Sequence, residues 1–350
     1  LLAISVWIRM NLKESPAFQH IKEEGTLSTS PITESFGRWA NLRIALLALF
    51  GLTAGQGVVW YTGQFYALFF ITQMLGLQAT LAQTLMVISL LLATPLFIFF
   101  GWLSDQVGRK PIILTGCLLA ALTYYPVFQG LAYFANPALV QAQRNAPVTV
   151  ITDPTRCSFQ FNPVGSHTFT SSCDIVKSYM ASHAVSYNNV KGAPGQVAQV
   201  RIGDHVIDGF EGGHLSRADF ARHSQALKNE LTDTMRQYAY PDRADPEQVN
   251  KIMLVVLLTY LVALVTAVYG PIAAMLVEMF PIRIRYTSMS LPYHIGNGWF
   301  GGFLPTLSFA LIALTGNIYD GLWYPILVCL LTVAIGAPFV RETRHNDINR

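Results

Sequence analysis

Residues 101–111 read GWLSDQVGRKP and form a short polar stretch between two long apolar runs. The stretch brings together three charged side chains, those of Asp105, Arg109 and Lys110. Charged side chains are costly inside a lipid bilayer, whereas they are readily accommodated at its surface. The stretch therefore predicts a tight turn at a membrane surface, between two helices that cross the membrane.

The composition also favours a membrane protein. Of the 350 residues, 52% are hydrophobic and only 12% are charged, whereas a soluble domain carries about 25% charged residues. The formal net charge of +3 is small and does not favour nucleic-acid binding. Four cysteines are too few for a disulfide scaffold, and no C-x-x-C spacing is present. We therefore expect no metal site and no cofactor.

Six apolar runs are long enough to cross a bilayer as helices, which takes about 20 residues. They occupy residues 44–75, 81–100, 112–134, 252–277, 287–314 and 322–340. The polar residues 135–250 interrupt them and predict a soluble insert after the third run. Residues 1–8 are apolar but too short to span, and we interpret them as the end of a truncated helix. Residues 9–43 are predicted to be a loop, and residues 341–350 a polar tail.

The distribution of basic residues predicts the orientation of these helices. Basic side chains fall in the segments 9–43, 109–110, 283–285 and 341–350, all on one side of the membrane. The intervening loops on the other side, GLQAT and TGNIYDG, contain no Lys or Arg. Because Lys and Arg are enriched in cytoplasmic loops, we expect the basic side to be cytoplasmic and the insert to be periplasmic, in the inner membrane of a bacterium.

The insert is predicted to be a small α+β domain. The segment CSFQFNPVGSHTFTSSC has two alternating runs around an N-P-x-G turn, which predicts a β-hairpin. Cys157 and Cys173 are equally distant from Gly165 and would face each other, so we expect a disulfide; two free thiols are the alternative. Residues 197–208 predict a further strand or hairpin. Residues 216–238 predict a helix that begins with a Ser cap.

The turn carries the first family resemblance. Gly101, Leu103, Asp105, Gly108, Arg109 and Lys110 match the signature G-x-L-x-D-x-x-G-R-K/R. The turn thus resembles a loop of the major facilitator superfamily, which joins helices two and three and recurs between helices eight and nine. The resemblance implies an all-α polytopic fold of twelve helices, of which this chain would be helices seven to twelve. The N-terminal half of the same protein would then be a missing partner.

Two further segments resemble one branch of that family, the metabolite–proton symporters. Glu14, Ser15 and Pro16 match an E-S-P element that follows helix six, although any helix stop could look the same. The segment EMFPIRIRY, from Glu278 to Tyr286, resembles an E-x-F-P-x-x-x-R element. Proton symport and a small polar metabolite as substrate, such as an organic acid or an osmolyte, are implied by this resemblance alone.

The resemblance also implies a gate at the cytoplasmic side. A carboxylate at Asp105 can pair with Arg109 and can accept from the N-terminus of the fifth span, where partial positive charge collects. Glu278 is the expected second partner of Arg109, whereas Glu342 is interpreted as an anchor at the membrane edge. The predicted gating residues are Gly101, Asp105, Gly108, Arg109, Lys110, Glu278 and Arg285.

A central binding site is predicted where small residues interrupt two spans in equivalent places. TAGQG interrupts the first span and Gly270–Pro271 the fourth, and matched interruptions point to a transporter's central site. Polar and aromatic side chains recur there at helical spacing: Thr53, Gln56, Trp60 and Gln64, with Tyr61 and Tyr269 nearby. Such a stripe can line a solute cavity or hold two helices together, and both possibilities stay open.

The fifth span supplies the second part of the predicted site. Ser290, His294 and Asn297 share one helical face, and Gly298 with Gly302 forms a G-x-x-x-G pair suited to close helix contact. An ionisable residue within a membrane span is a functional candidate, and His titrates near physiological pH. His294 could carry a proton, or it could be a neutral side chain bonded to Asn297 or to a carbonyl.

Together these observations predict alternating-access transport of a small polar metabolite, with the solute, H⁺ and membrane lipid as partners. The alternative is a transporter-derived sensor whose insert binds a ligand; it would show ligand binding by the insert and no uptake. The sequence shows no nucleophile–base pair, phosphate loop or metal cluster, so an enzyme is not expected.

Overall fold

Six helices are long and apolar enough to cross a membrane in the computed structural model, which describes residues 2–11, 19, 22–25, 27–163 and 166–346. In chain order, these first to sixth spans are Trp39–Met74, Ala79–Val107, Arg109–Ala135, Lys251–Met279, Arg285–Thr315 and Asp320–Phe339. They coincide with the six predicted runs. The largest difference lies at the end of the second span, which continues through the predicted turn to Val107.

Gly108 alone separates the second span from the third. Its φ of +111° lies in the region that residues with a Cβ rarely adopt. A Cβ at this position would also lie 2.5 Å from Oε2 of Glu342. The helix of the second span therefore continues to Val107, and the chain reverses direction at Gly108. The third span begins at the next residue, Arg109.

A short helix, α1 (Leu2–Asn11), and a π-helical segment, Thr33–Gly37, precede the first span. The interpretation of residues 1–8 as the end of a truncated helix stays a prediction. The predicted E-S-P element at Glu14, Ser15 and Pro16 lies outside the described residues, as does Gly165.

Two of the spans contain π-helical segments, and the fourth span is broken. The π segments lie at Leu49–Thr53, Thr62–Tyr66 and Phe70–Met74 in the first span and at Gly296–Gly301 in the fifth. The fourth span consists of Lys251–Tyr269 and Ile272–Met279, which Gly270 and Pro271 separate. Proline removes a backbone donor and so interrupts the helix at this point. Local π geometry often marks functional sites, so the first and fifth spans are candidates for such a site.

Close contact between the first and fifth spans depends on glycine. A Cβ on Gly57 would lie 2.3 Å from the carbonyl oxygen of Gly296, so only a glycine fits there. Small residues allow such approach in membranes, where van der Waals packing rather than water exclusion drives helix association. The predicted pair of Gly298 and Gly302 does not play this role within the described chain. No atom lies within 4 Å of a Cβ built on Gly298, because that side of the fifth span faces away from the first.

Aromatic and aliphatic side chains fill the space between the spans. Tyr66, Phe70, Phe128 and Leu131 are fully buried. Polar contacts also join neighbouring spans, for example the hydroxyl of Tyr260, which donates to Oγ1 of Thr123 over 2.9 Å. The six spans therefore form one bundle with a continuous core.

Residues between the third and fourth spans form a four-stranded sheet with flanking helices. The helices are α2 (Pro137–Asn145), α3 (Ser172–Ser182) and α4 (Arg217–Gln237). The strands are β1 (Val148–Thr152), β2 (Tyr187–Lys191), β3 (Gln199–Ile202) and β4 (His205–Asp208), in the order β2-β1-β3-β4. Strands β1 and β2 are parallel, and the other pairs are antiparallel.

The hairpin predicted around residue 165 is wrong. The described residues on both sides of that turn contain no strand, and Cys173 lies in the first turn of α3. The reason is local capping, because Ser171 accepts from the backbone N–H of Asp174 and so starts a helix. Cys157 and Cys173 nevertheless form a disulfide, with their Cα atoms 5.3 Å apart.

The insert contacts the spans at the end remote from Gly108. The backbone N–H of Tyr187 donates to the carbonyl of Gly316 over 2.7 Å, and its hydroxyl donates to the carbonyl of Ala313 over 2.6 Å. The backbone N–H of Ala244 donates to Gly76 over 3.1 Å. The insert thus lies on the loops that lack Lys and Arg, and the basic segments lie at the opposite end.

Candidate functional site

Arg109 joins three of the spans at the basic end of the bundle. Its Nη1 lies 2.5 Å from Oδ1 of Asp105 at the end of the second span. Its Nη2 lies 3.2 Å from Oε1 of Glu278 at the end of the fourth. The side chains of Arg109 and Glu278 are only 11% and 10% exposed. A partly buried guanidinium needs such partners, because removing a charge from water is costly unless it is paired.

Glu342, beyond the sixth span, caps the start of the third. Its carboxylate accepts from the backbone N–H groups of Arg109, at 2.9 Å, and of Lys110, at 3.0 Å. These are helix N-terminal donors, which carry partial positive charge. Partial burial acts to raise the pKa of Glu342, but backbone donors from Arg109, Arg344, Lys110 and Thr343 outweigh it and hold the pKa below its usual value.

The residue after Glu342 extends the same network to the fourth span. The hydroxyl of Thr343 donates to Oε2 of Glu278 over 2.6 Å. Nζ of Lys110 donates to the carbonyl of Ala337, in the sixth span, over 2.6 Å. We call Asp105, Arg109, Glu278 and Glu342 the charge cluster. The cluster ties together the second, third, fourth and sixth spans at one end of the bundle.

The predicted contact of Asp105 with the start of the fifth span is not formed. The described hydrogen bond of this carboxylate goes to Arg109, and the side chain is 61% exposed. Arg285, which begins the fifth span, donates from Nε to the carbonyl of Phe280 over 3.0 Å. No atom lies within 4 Å of a Cβ built on Gly101. Asp105 therefore faces outward, and its carboxylate is held by Arg109, four residues later in the chain.

Two predicted polar residues of the first span join it to the fifth. Nε2 of Gln56 donates to Oδ1 of Asn297 over 3.1 Å, and Nδ2 of Asn297 lies 3.3 Å from Oε1 of Gln56. The hydroxyl of Thr53 donates to the carbonyl of Pro292 over 2.8 Å. Thr53 and Gln56 are fully buried. These contacts hold two helices together, and they satisfy polar groups that lipid could not.

An aromatic cluster continues from this amide pair along the same spans. The rings of Trp60 and Tyr269 are stacked, with centroids 6.1 Å apart and planes inclined by 23°. The hydroxyl oxygens of Tyr269 and Tyr293 lie 3.1 Å apart. The ring of Tyr61 lies against Gly301. We call Trp60, Tyr61, Tyr269 and Tyr293 the aromatic cluster. It joins the first, fourth and fifth spans, and its members are only partly buried.

The remaining predicted residues lie beside this cluster and not inside it. Gln64 is partly buried, whereas Ser290 and His294 are exposed. The hydroxyl of Ser290 donates to the carbonyl of Tyr286 in its own helix over 2.6 Å. The ring of His294 contacts that of Tyr293, with centroids 5.7 Å apart. A His294–Asn297 hydrogen bond, one of the alternatives left open for His294, is not among the described contacts.

Sequence reasoning missed Glu342 as a cap and Tyr293 as a partner of Tyr269. The segment RET at Glu342 does resemble a P-E-T element of sugar porters, but Arg341 replaces the Pro, which weakened the signal. Tyr293 precedes Asn297 by one helical turn, and Asn297 donates to its carbonyl. Within the described residues, no three His, Cys, Asp or Glu side chains are grouped to hold a metal ion.

Residues 4–151 match the family model described as "Sugar (and other) transporter". The alpha-ketoglutarate permease of Escherichia coli is 27% identical over 139 residues, which cover 39% of this chain and 30% of that protein. The ectoine/proline transporter ProP of Corynebacterium glutamicum is 27% identical over 134 residues, covering 36% of the chain and 26% of that protein.

The shikimate transporter of E. coli is 26% identical over 129 residues, covering 36% of the chain and 29% of that protein. No solved structure matches the chain. The matched relatives are all transporters or permeases, and each alignment spans less than a third of the relative's length. These similarities support membrane transport of small molecules and not an enzymatic activity.

Proposed function

We propose that this chain is the C-terminal half of a secondary transporter that moves a small polar metabolite across a bacterial inner membrane by alternating access. The charge cluster carries the proposal. It draws four spans together at one end through the ion pairs of Arg109 and the backbone hydrogen bonds to Glu342, which a carrier can break and remake as it moves. A static anchor would be served as well by apolar side chains, because buried ion pairs add little stability.

The aromatic cluster is proposed as the solute site. Thr53, Gln56 and Asn297 bond to the opposite span or to each other, so they position the first and fifth spans. Trp60 and Gln64 are only partly buried and would contact the solute. Aromatic walls with a few polar groups are typical of small-molecule sites.

The chemistry of the named relatives suggests the solute class. α-Ketoglutarate, shikimate, ectoine and proline are small polar molecules that each carry a carboxylate. We infer that the solute of this protein is a small carboxylic acid or a zwitterion. Gln64 and the tyrosine hydroxyls of the cluster can donate hydrogen bonds to such a group. His294, exposed beside the cluster, would supply a proton-binding group for symport.

The orientation follows from charge. With the basic end in the cytoplasm, the charge cluster closes the cytoplasmic side, and the insert covers the outer ends of the spans. The disulfide of the insert would then lie in the periplasm, where the oxidising environment lets disulfides persist.

Uptake by the full-length protein tests the proposal. Cells that express it should accumulate radiolabelled carboxylates or betaines, and collapse of the proton gradient should abolish the uptake. Trp60→Ala should lower uptake by at least about tenfold, because removing an aromatic contact to a solute costs at least about 1.4 kcal/mol. Trp323→Ala is the matched control, since Trp323 lies at the outer end of the sixth span.

An unchanged rate in Trp60→Ala, or equal loss in both variants, would remove the aromatic cluster as the solute site. No uptake of any solute, together with ligand binding to the insert, would favour the sensor instead.

A further inference from the structure

A cavity of about 510 Å³ lies at the basic end, between the start of the first span and the end of the sixth. It is separate from the aromatic cluster in the middle of the spans. Its lining includes two arginines, Arg43 and Arg341, and Trp39. The apolar part of its wall consists of Ile44, Leu47, Met279, Phe339 and Val340.

The two arginines of this cavity lack carboxylate partners of the kind that Arg38, Arg109 and Arg283 have at the same end. Arg38 and Arg283 both pair with Glu34, and Arg109 pairs within the charge cluster. Among the described residues, neither Arg43 nor Arg341 forms an ion pair, and both side chains are exposed. Two cations that share one cavity repel each other, so the site favours an anion from outside the chain.

The apolar wall indicates what kind of anion fits. Trp39 is 69% exposed and Phe339 is 59% exposed, although both are large and apolar. Tryptophan at the end of a membrane span typically lies at the level of the lipid headgroups. The cavity therefore combines positive charge with an apolar wall at the end of two membrane spans. A free phosphate would use only the first of these features.

We propose that this cavity binds the phosphate of an anionic phospholipid between Arg43 and Arg341, with the acyl chains along Leu47 and Phe339. Basic pockets between membrane helices are suited to lipid headgroups. The site also borders the charge cluster, because Thr343 lines the cavity and donates to Glu278. A bound lipid would fix the position of residues 341–343, and so of Glu342, which caps the third span. The proposal does not depend on the solute or on transport.

Native mass spectrometry of the full-length protein in detergent tests the site. Phosphatidylglycerol should remain bound, whereas phosphatidylcholine of the same chain length should not. The double variant R43Q/R341Q should bind phosphatidylglycerol about 30-fold more weakly. Each arginine near the membrane surface strengthens the binding of an anionic lipid by about fivefold to sixfold, and the two factors multiply. R144Q/R201Q is the charge-matched control, because both arginines are exposed and lie at the opposite end of the bundle, in α2 and β3.

A second readout uses Trp39 as a reporter. Phosphatidylglycerol with brominated acyl chains should quench part of the tryptophan fluorescence, and that part should be lost in W39F and in R43Q/R341Q. Equal retention of both lipids, or unchanged binding in R43Q/R341Q, would overturn the proposal. Displacement of the lipid by millimolar inorganic phosphate would also overturn it, since the site would then recognise the anion alone.

Discussion

Gly108 ends the second span in a backbone conformation that other residues adopt only with strain. Replacing it by alanine should lower the free energy of unfolding by about 1–3 kcal/mol, the usual cost of such a conformation. The new methyl group would also meet the carboxylate of Glu342. Thermal or denaturant unfolding of the purified protein measures the loss.

Gly101 provides the matched control from the same turn. It lies inside the helix of the second span, and no atom lies within 4 Å of its Cβ position. Gly101→Ala should therefore leave stability unchanged or raise it slightly, since alanine favours helix over glycine. Equal effects at both positions would contradict the role assigned to the φ of Gly108.

Glu342 makes the stability of the basic end depend on pH. Because its pKa is lowered in the folded protein, its contribution is present above the unfolded value, near 4.5, and is lost as the pH falls through the folded value. Glu342→Gln should therefore destabilise the protein at pH 7, and the difference from wild type should shrink on acidification. Unfolding measured from pH 7 downward checks this, and a constant difference would contradict it.

The pair of Gln56 and Asn297 acts between elements, because it joins the first and fifth spans. Asn297→Leu leaves the buried amide of Gln56 without its partner, at a cost of about 1–3 kcal/mol. Gln56→Leu should cost less, because Asn297 is only partly buried and still donates to the carbonyl of Tyr293. Replacing both should cost less than the sum, and the interaction energy should be about 0.5–1.5 kcal/mol, as for other polar contacts between membrane helices. A double-mutant cycle in a detergent unfolding assay measures it. Ser290→Ala should be neutral, because that hydroxyl bonds within its own helix.

The spans could be predicted from the sequence, but several contacts between elements could not. Hydropathy is a local property, so each apolar run located its helix, although the ends differ by as much as seven residues, at Val107. The prediction of a hairpin was wrong because an alternating pattern also fits an irregular segment. The hydrogen bond from the backbone N–H of Asp174 to Ser171 starts a helix there instead of a strand. The glycine pair is a different case, since Gly298 makes no close helix contact within the described residues. Spacing reveals that Gly298 and Gly302 share a face, but it does not reveal which neighbour that face meets.

At the scale of the molecule, the insert packs directly on the spans and on the loops that join them. It bonds to Gly76, in the loop after the first span, and to Gly316, in the loop after the fifth. Tyr187 reaches from β2 to the buried carbonyl of Ala313. Contacts with two separate loops mean that a hinged lid would have to break both sets. The insert should therefore move together with this half of the protein.

The opposite ends of the molecule should face different compartments. Gln106 in the second span is exposed beside the charge cluster, and Asn188 in β2 is exposed on the insert. Cys117 and Cys329 are buried, so they should give little background labelling. In intact cells, a membrane-impermeant maleimide should label Asn188→Cys and not Gln106→Cys, and permeabilisation should expose both. We expect this result because loops rich in Lys and Arg stay in the cytoplasm, and the basic residues of this chain lie at the Gln106 end. Labelling of Gln106→Cys in intact cells would show the opposite orientation, with both the charge cluster and the phospholipid cavity outside the cell.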